Sequence, residues 1–442
     1  MSGVLVGVDI GTTTVKAVAT DLDLTVRGEH AEVTPWRHAG ANAEVDPVAL
    51  ATATAAAAAG AARAAGAQAL AVGMSGMAET GVLLDPHGAP AAPALAWHDP
   101  RGDCDLVRAE LGEDAYRRTA GRSIDAVSSL PKLLWLRRHV DAARRAVRFL
   151  SVPEWAVHAL GGEQVSELSL VSRTGLFDVP ARRPWGEALA LLHVGPSFLG
   201  ELVSAGQPVG QVGGSAPEEL RGAVLTVAGH DHQVAAYALG AAVDGALCDS
   251  LGTAEALLRT VPAPLDAASI DRLARRNVTT GWGVVPDHLC LLAGIPTGIS
   301  LERIGALVGA PTPADRIELG RRALPTDRSV TAMHVSASYS GLTVHDVDDE
   351  ANPALVWRVA VEDVTAMGDQ VLAAMSAEVG EHRSVLVAGG WLHNPMVRAV
   401  KEQQYGEFGT SNLHEPGAVG AAEMAGVAAG LLSPRWPGAA GR

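Results

Sequence analysis

Four short stretches bring together side chains able to grip phosphate, hold a cation and move a proton. In Asp9-Ile10-Gly11-Thr12-Thr13 the glycine lets backbone N–H groups approach phosphate oxygens unhindered by a Cβ, and each threonine adds a hydroxyl donor. A carboxylate so close to phosphates repels them unless a cation lies between, so Asp9 is read as a Mg²⁺ partner, directly or through water. The same residues also suit a plain hairpin whose aspartate stabilises the turn.

The second stretch, Val224 to His232, is an apolar strand that stops at Gly229 and delivers Asp231 to the start of a helix, with His232 next to it. A hydroxyl that attacks a phosphoryl group must lose its proton, and a positioned aspartate is a suitable acceptor. Taken alone, Asp231 serves equally as a helix N-cap. In the third stretch, Val385 to Pro395, a strand runs into Gly389-Gly390 and then into Asn394-Pro395 at a helix start. Paired glycines let a flat adenine or ribose lie on the backbone, though an ordinary strand-to-helix loop has the same look. The fourth comprises Ser75 to Thr80, with Glu79, and Trp97-His98-Asp99-Pro100-Arg101. Carboxylates accept from vicinal hydroxyls, arginine donates in a fixed fork and a tryptophan face stacks on a sugar; an internal Asp99–Arg101 ion pair is the competing reading.

These groups need elements to hold them. Strand-like apolar runs at Val4 to Val8, Leu70 to Gly73, Val224 to Ala228 and Val385 to Ala388 alternate with helical patterns such as Leu130 to Arg138 and Val361 to Val379, the look of an α/β protein with buried sheets. Asp9 to Thr13 has an echo in Asp249-Ser250-Leu251-Gly252-Thr253, half a chain away. Two related domains, 1–240 and 241–442, each presenting a phosphate-gripping hairpin to one cleft, would explain it. A length of 442 residues also suits two cores. From about Val261 to Arg328 no clear periodicity emerges.

Composition narrows the partners. A net charge of −15 without a Lys/Arg cluster argues against nucleic acid. Ala49 to Val72 is long enough for a membrane span, but alanine dominates it and Arg63, Gln68 and glycines interrupt it, so a helix packed on a sheet is expected. Three scattered cysteines and no basic-then-apolar leader point to a reducing, cytoplasmic setting.

In order and spacing the motifs resemble the FGGY carbohydrate kinase family, over nearly the whole chain. The likeness includes Asp9 to Thr13, Trp97 to Arg101, Pro131-Lys132-Leu133-Leu134-Trp135-Leu136 and Arg173-Thr174-Gly175-Leu176-Phe177-Asp178. It continues through Gly229 to His232, Ser250 to Thr253, and Gly389-Gly390 with Asn394-Pro395. The resemblance implies a two-domain RNase H-like (actin-type ATPase) fold with a ligand cleft between domains. It further implies ATP and Mg²⁺ as cofactors, and transfer of the γ-phosphate to a hydroxyl of a ketose, polyol or related sugar with Asp231 as general base. Thr12, Thr13, Gly252 and Thr253 then fall to phosphate, Gly389, Gly390 and Asn394 to adenosine, and Glu79, Trp97, Asp99, Arg101 and His232 to the acceptor. Met77-Ala78-Glu79 stands where xylulose kinases carry Gln-Met-His, and Ala78 and His232 replace an Arg and a Gln of glycerol kinases, which implies an acceptor that is neither plain glycerol nor xylulose. An actin-like ATP-binding regulatory protein and a kinase of a non-sugar hydroxyl metabolite are the alternatives. The expected partner is a small-molecule sugar or polyol, with no membrane, and a homodimer is left open.

Overall fold

The computed structural model describes residues 3–436. Two six-stranded sheets dominate it. The first contains β1 (Val4–Ile10), β2 (Thr14–Thr20), β3 (Val26–Val33), β4 (Ala69–Gly76), β5 (Pro208–Gln211) and β6 (Val224–His230), in the order β5-β6-β4-β1-β2-β3. The second contains β7 (Ala246–Leu251), β8 (Glu255–Pro262), β9 (Thr279–Trp282), β10 (His288–Ile295), β11 (Ser384–Ala388) and β12 (Gly409–Thr410), in the order β9-β10-β8-β7-β11-β12.

One plan underlies both sheets. A meander of three antiparallel strands is extended from its first strand by two parallel ones: β3-β2-β1-β4-β6 in one, β10-β8-β7-β11-β12 in the other. This is the RNase H-like, actin-type arrangement expected from the sequence. In each sheet the first hairpin leaves the C-terminal end of a central strand, where parallel neighbours also end, and α/β sheets gather ligands at that edge.

The hairpins are not strict copies. Ile10 pairs with Val15 across four loop residues, whereas Leu251 pairs with Glu255 across three. Aligned on Gly-Thr, Asp9 therefore matches Ser250, and Asp249 falls one position earlier. Because side chains alternate along a strand, that shift sends Asp249 to the other face. It is no counterpart of Asp9.

Helices cover the sheets: α1 (Pro47–Ala64), α2 (Asp231–Ala238), α3 (Thr297–Leu307), α4 (Pro313–Ala323), α5 (Pro353–Val379), α6 (Pro395–Tyr405) and α7 (Pro416–Ala428) lead among them. The Asp46 carboxylate caps α1 by accepting from the amides of Val48 and Ala49, and Pro47 occupies the first turn. The alanine-rich stretch thus becomes α1 followed by β4. Among the described residues no helix is long and apolar enough to cross a membrane. The stretch without visible periodicity folds as β8, a short helix (Ala267–Ala274), β9, β10, α3 and α4.

α7 comes last in the chain yet packs on the first sheet. Its small residues bring two backbones nearly into contact: a Cβ on Gly7 would lie 1.9 Å from the Ala418 carbonyl oxygen, and one on Gly73 2.1 Å from that of Ala421. Only glycine is compatible with such an approach. Gly7→Val should therefore cost on the order of 3 kcal/mol by overpacking, seen as a lower urea midpoint at unchanged slope.

Candidate active site

Asp231 is aimed by a kink. The β6–β4 register shifts between Val227 and Gly229, where φ is +114°, and a Cβ on Gly229 would stand 2.6 Å from Ser169 Oγ. That hydroxyl accepts the His230 amide (3.0 Å) and donates to Glu167 Oε2 (2.5 Å), fixing the turn from behind. His230 is the N-cap of α2, so Asp231 occupies its first turn, where the helix dipole favours a negative charge. Asp231 Oδ1 accepts the His232 amide at 2.7 Å and lies 3.3 Å from His230 Nε2. Burial pushes the carboxyl up, but His232 and His230 outweigh it and hold Asp231 below the usual range. Burial also drives His230 down to about 4, so that imidazole is neutral at pH 7.

Asp9 faces the opposite balance. Burial and the charge of Asp231 raise it to about 7, against a pull from Ser75 and Lys16. Ser75 Oγ is 3.3 Å from Asp9 Oδ1 and from the Val8 carbonyl oxygen alike. Lys16, cross-strand from Asp9, bonds Glu415 Oε1 at 2.8 Å instead. The start of α7 closes the remaining side, with a Cβ on Gly417 only 2.6 Å from Asp9 Oδ2.

The first hairpin has its acceptors tied. Thr34 Oγ1 donates to the Gly11 carbonyl (2.8 Å), Trp36 Nε1 to that of Thr12 (2.5 Å) and the Thr34 amide to that of Thr13 (3.1 Å). Trp97 Nε1 donates to Thr12 Oγ1 at 2.9 Å, which leaves that hydroxyl's own proton free to be given. Thr13 is exposed at the tip. In the second hairpin Gly252 and Thr253 are exposed, and the Thr253 carbonyl accepts the Ile299 amide at 2.8 Å.

Glu79, expected at the acceptor, is buried between two arginines. Arg173 Nη2 (2.6 Å), Arg173 Nε (2.9 Å) and Arg122 Nη1 (3.3 Å) all reach Oε1, leaving Oε2 outside these bonds. Burial opposes ionisation, but Arg173 and Arg122 overcome it and hold Glu79 at about 2. Asp99 and Arg101 turn to each other. Arg101 bonds Asp99 through Nη2 at 2.6 Å and Glu44 through Nη1 at 3.0 Å, and Asp99 Oδ2 also accepts the Ala43 amide. The buried Lys132 ammonium donates to the Asp99 carbonyl at 2.6 Å. The internal ion pair weighed against a sugar contact is thus formed, and it braces the loop that presents Trp97. His232 is exposed beside Asp231.

At the far end lies a cavity of about 260 Å³ bounded by Leu251, Gly252, Glu302, Arg316, Gly390 and Asn394, among others. Gly389 has φ +116°, and a Cβ there would meet the Leu251 carbonyl oxygen at 2.3 Å. Gly390 is open. Asn394 is committed to structure: its Oδ1 caps α6 through the Met396 and Val397 amides, and its Nδ2 donates to the Arg316 carbonyl at 2.6 Å. It shapes the wall through these bonds. The Arg316 guanidinium lies 5.3 Å from the ring centre of Trp391, which also lines the cavity.

Residues 4–238 match the model of the "FGGY family of carbohydrate kinases, N-terminal domain". The chain belongs to the FGGY family of carbohydrate kinases. It is 28% identical to a glycerol kinase of Aromatoleum aromaticum over 97% of this chain and 90% of that one, and 30% identical to a glycerol kinase of Dechloromonas aromatica over 82% and 75%. Its fold resembles a xylulose kinase from Rhodospirillum rubrum (TM-score 0.85, 20% identity, 96% of this chain and 90% of that one). It is equally similar to a Plasmodium falciparum glycerol kinase solved with ADP (TM-score 0.85, 16% identity, 98% and 90%). FGGY kinases are phosphotransferases with an alcohol acceptor.

Several residues that shape this kinase's cleft were not marked in the sequence. Arg122 is 43 residues from Glu79, and Arg173, seen only as part of a motif, is 94 away. Arg316 belongs to the stretch without visible periodicity, and Gly417 had no sign beyond its Pro-Gly start. Because Glu79 is held well below its ordinary 4.5, the stability it confers is complete above that pH and lost as pH falls through about 2. Glu79→Gln should lower stability at pH 7 by on the order of 3 kcal/mol, since it leaves buried arginine charge uncompensated. Urea titrations at pH 7 and pH 3 should show that gap narrowing on acidification.

Proposed function

We propose that this FGGY kinase transfers the γ-phosphate of ATP to a hydroxyl of a small polyol or sugar, with Asp231 as general base. The observation that carries the reading is geometric: β1 and β6 flank β4 and bring Asp9 and Asp231 to one end of the first sheet, with Asp231 in the first turn of α2 accepting the His232 amide at 2.7 Å. An ionised carboxylate in the cleft is ready to take a proton. As the acceptor oxygen bonds to the γ-phosphorus and the bond to the β,γ-bridging oxygen breaks, the hydroxyl proton passes to Asp231 and ADP leaves.

Asp9 is suited to Mg²⁺ that arrives with the nucleotide. Among the described residues no cluster of three or more His, Cys, Asp or Glu is set to hold a metal, and Mg²⁺ commonly takes one or two carboxylates with phosphate oxygens and water. Bound there, it would neutralise charge on the transferred group. Gly11 to Thr13 and Gly252-Thr253 would give amides and hydroxyls to the phosphates. The cavity beside Gly389 and Gly390 would receive adenosine, with Asn394 shaping its wall. Glu79 Oε2 and the Trp97 face are our choice for acceptor contacts, with His232 at the rim and Asp99–Arg101 as their brace. We place the domain boundary near residue 240, between the two sheets, with α7 reaching back across it.

Relatives named glycerol kinase put glycerol on the panel of acceptors, and Ala78 and His232 argue for testing larger polyols, ketoses and sugar acids beside it. With the acceptor that most stimulates ADP release, Asp231→Asn should lose about 100-fold or more in kcat, the scale of a general base, while Glu79→Gln should act mainly by raising the acceptor KM. An acceptor-dependent rate unchanged in Asp231→Asn would remove Asp231 from the role.

A further inference from the structure

The second sheet holds a buried ionic cluster that none of the chemistry above uses. Lys401, on α6, has no exposed side-chain surface, and neither have the two carboxylates it meets: Asp249 Oδ2 at 2.8 Å and Glu255 Oε1 at 2.6 Å. Gln404 Oε1 takes a third ammonium proton at 3.0 Å. Tyr405 donates to Asp249 Oδ2 (2.9 Å) and Thr297 to Glu255 Oε2 (2.6 Å). Three charges taken out of water are expensive, and a hydrophobic trio could fill the same space. What an ionic cluster adds is directional, short-tolerance geometry.

Its placement shows what that geometry holds. Asp249 ends two residues before Leu251, and Glu255 directly follows the Gly252–Ala254 turn, so the two acids bracket the second hairpin from both strands. Thr297 opens α3, whose Glu302 lines the cavity, and Lys401 lies two turns along the helix capped by Asn394. Walls of the nucleotide site that are distant in sequence therefore converge on one ammonium group.

We propose that Lys401 is a positioning residue for nucleotide binding, clamping both strands of the Gly252–Thr253 hairpin to the Asn394 helix and so setting the span between the phosphate end and the adenosine end of the site. This rests on the ATP reading above. A ligand that reaches both ends feels that span; a ligand confined to the cavity does not. Fold stability alone would affect the two alike.

The test compares ATP and adenosine binding, by calorimetry and ligand-observed NMR without acceptor, in wild type, Lys401→Met and the double variant Lys401→Met/Glu255→Gln. The double variant brings the net charge of the cluster back to that of wild type, leaving Asp249 with the Tyr405 hydroxyl as its donor. We expect ATP affinity to fall about tenfold or more in the double variant with adenosine affinity within about twofold of wild type and a near-native melting temperature. Equal losses for both ligands, or undiminished ATP binding, would overturn the proposal. If neither Lys401 variant folds, Tyr405→Phe, which deletes one hydroxyl, carries the same comparison with an expected ATP-selective loss of about threefold. Wild type that binds no ATP would instead refute the nucleotide reading itself.

Discussion

Two carboxylates, Asp9 and Asp231, meet at one end of the first sheet, and much of the surrounding structure follows from keeping both there. Left alone, neighbouring acids in a desolvated site force a proton onto one of them. Here the outcome is directed. Asp231 stands at a helix start and accepts a backbone amide, and it is held below the usual carboxyl range. Asp9 has only a long contact to Ser75 and a lysine already engaged by Glu415, so it bears the cost. The asymmetry is what the proposed roles draw on: a base at Asp231 and a cation partner at Asp9.

The fold delivers this pair from the first and last central strands of the first sheet and closes over it with α7. β1 and β6 flank β4, which places Asp9 and Asp231 at one edge of the sheet although more than two hundred residues separate them. α7 then returns from the second half and seats Gly417 against Asp9, an approach that depends on glycine at positions 7 and 73 as well. The second sheet repeats the plan of the first and diverges at the corresponding spot. Its hairpin is one residue shorter and Asp249 turns to the other face, so the central strand of the second sheet brings no counterpart of Asp9 to its hairpin. The duplicated hairpin is instead anchored from behind by Lys401.

The existence of the strands, the α/β class and the glycine-rich turns are legible because they depend on local runs of residues. Val4 to Val8 and Val224 to Ala228 were each read two residues short of β1 and β6, since Asp9-Ile10 and Gly229-His230 break the apolar run while keeping the ladder. Glu79 stands out in the sequence as a candidate, but its two arginine partners do not, because they reach it through tertiary folding. Asp99 and Arg101 show the converse: a two-residue spacing made their ion pair readable, and it formed. Lys401 lay inside an unremarkable amphipathic helix, and nothing local indicated that it would be buried between two acids. Glu302 and Arg316, one wall of the cavity, come from the stretch whose short helices and strands leave no sustained period.

The most direct measurement follows the phosphorus itself. In a ³¹P NMR time course with Mg-ATP and the acceptor that most stimulates turnover, the account predicts that the γ-phosphate resonance is replaced, one for one with ADP, by a phosphomonoester of that acceptor. Conversion of the γ-phosphate to inorganic phosphate alone, with the acceptor unchanged, would contradict it and describe a nucleotide hydrolase in place of a kinase.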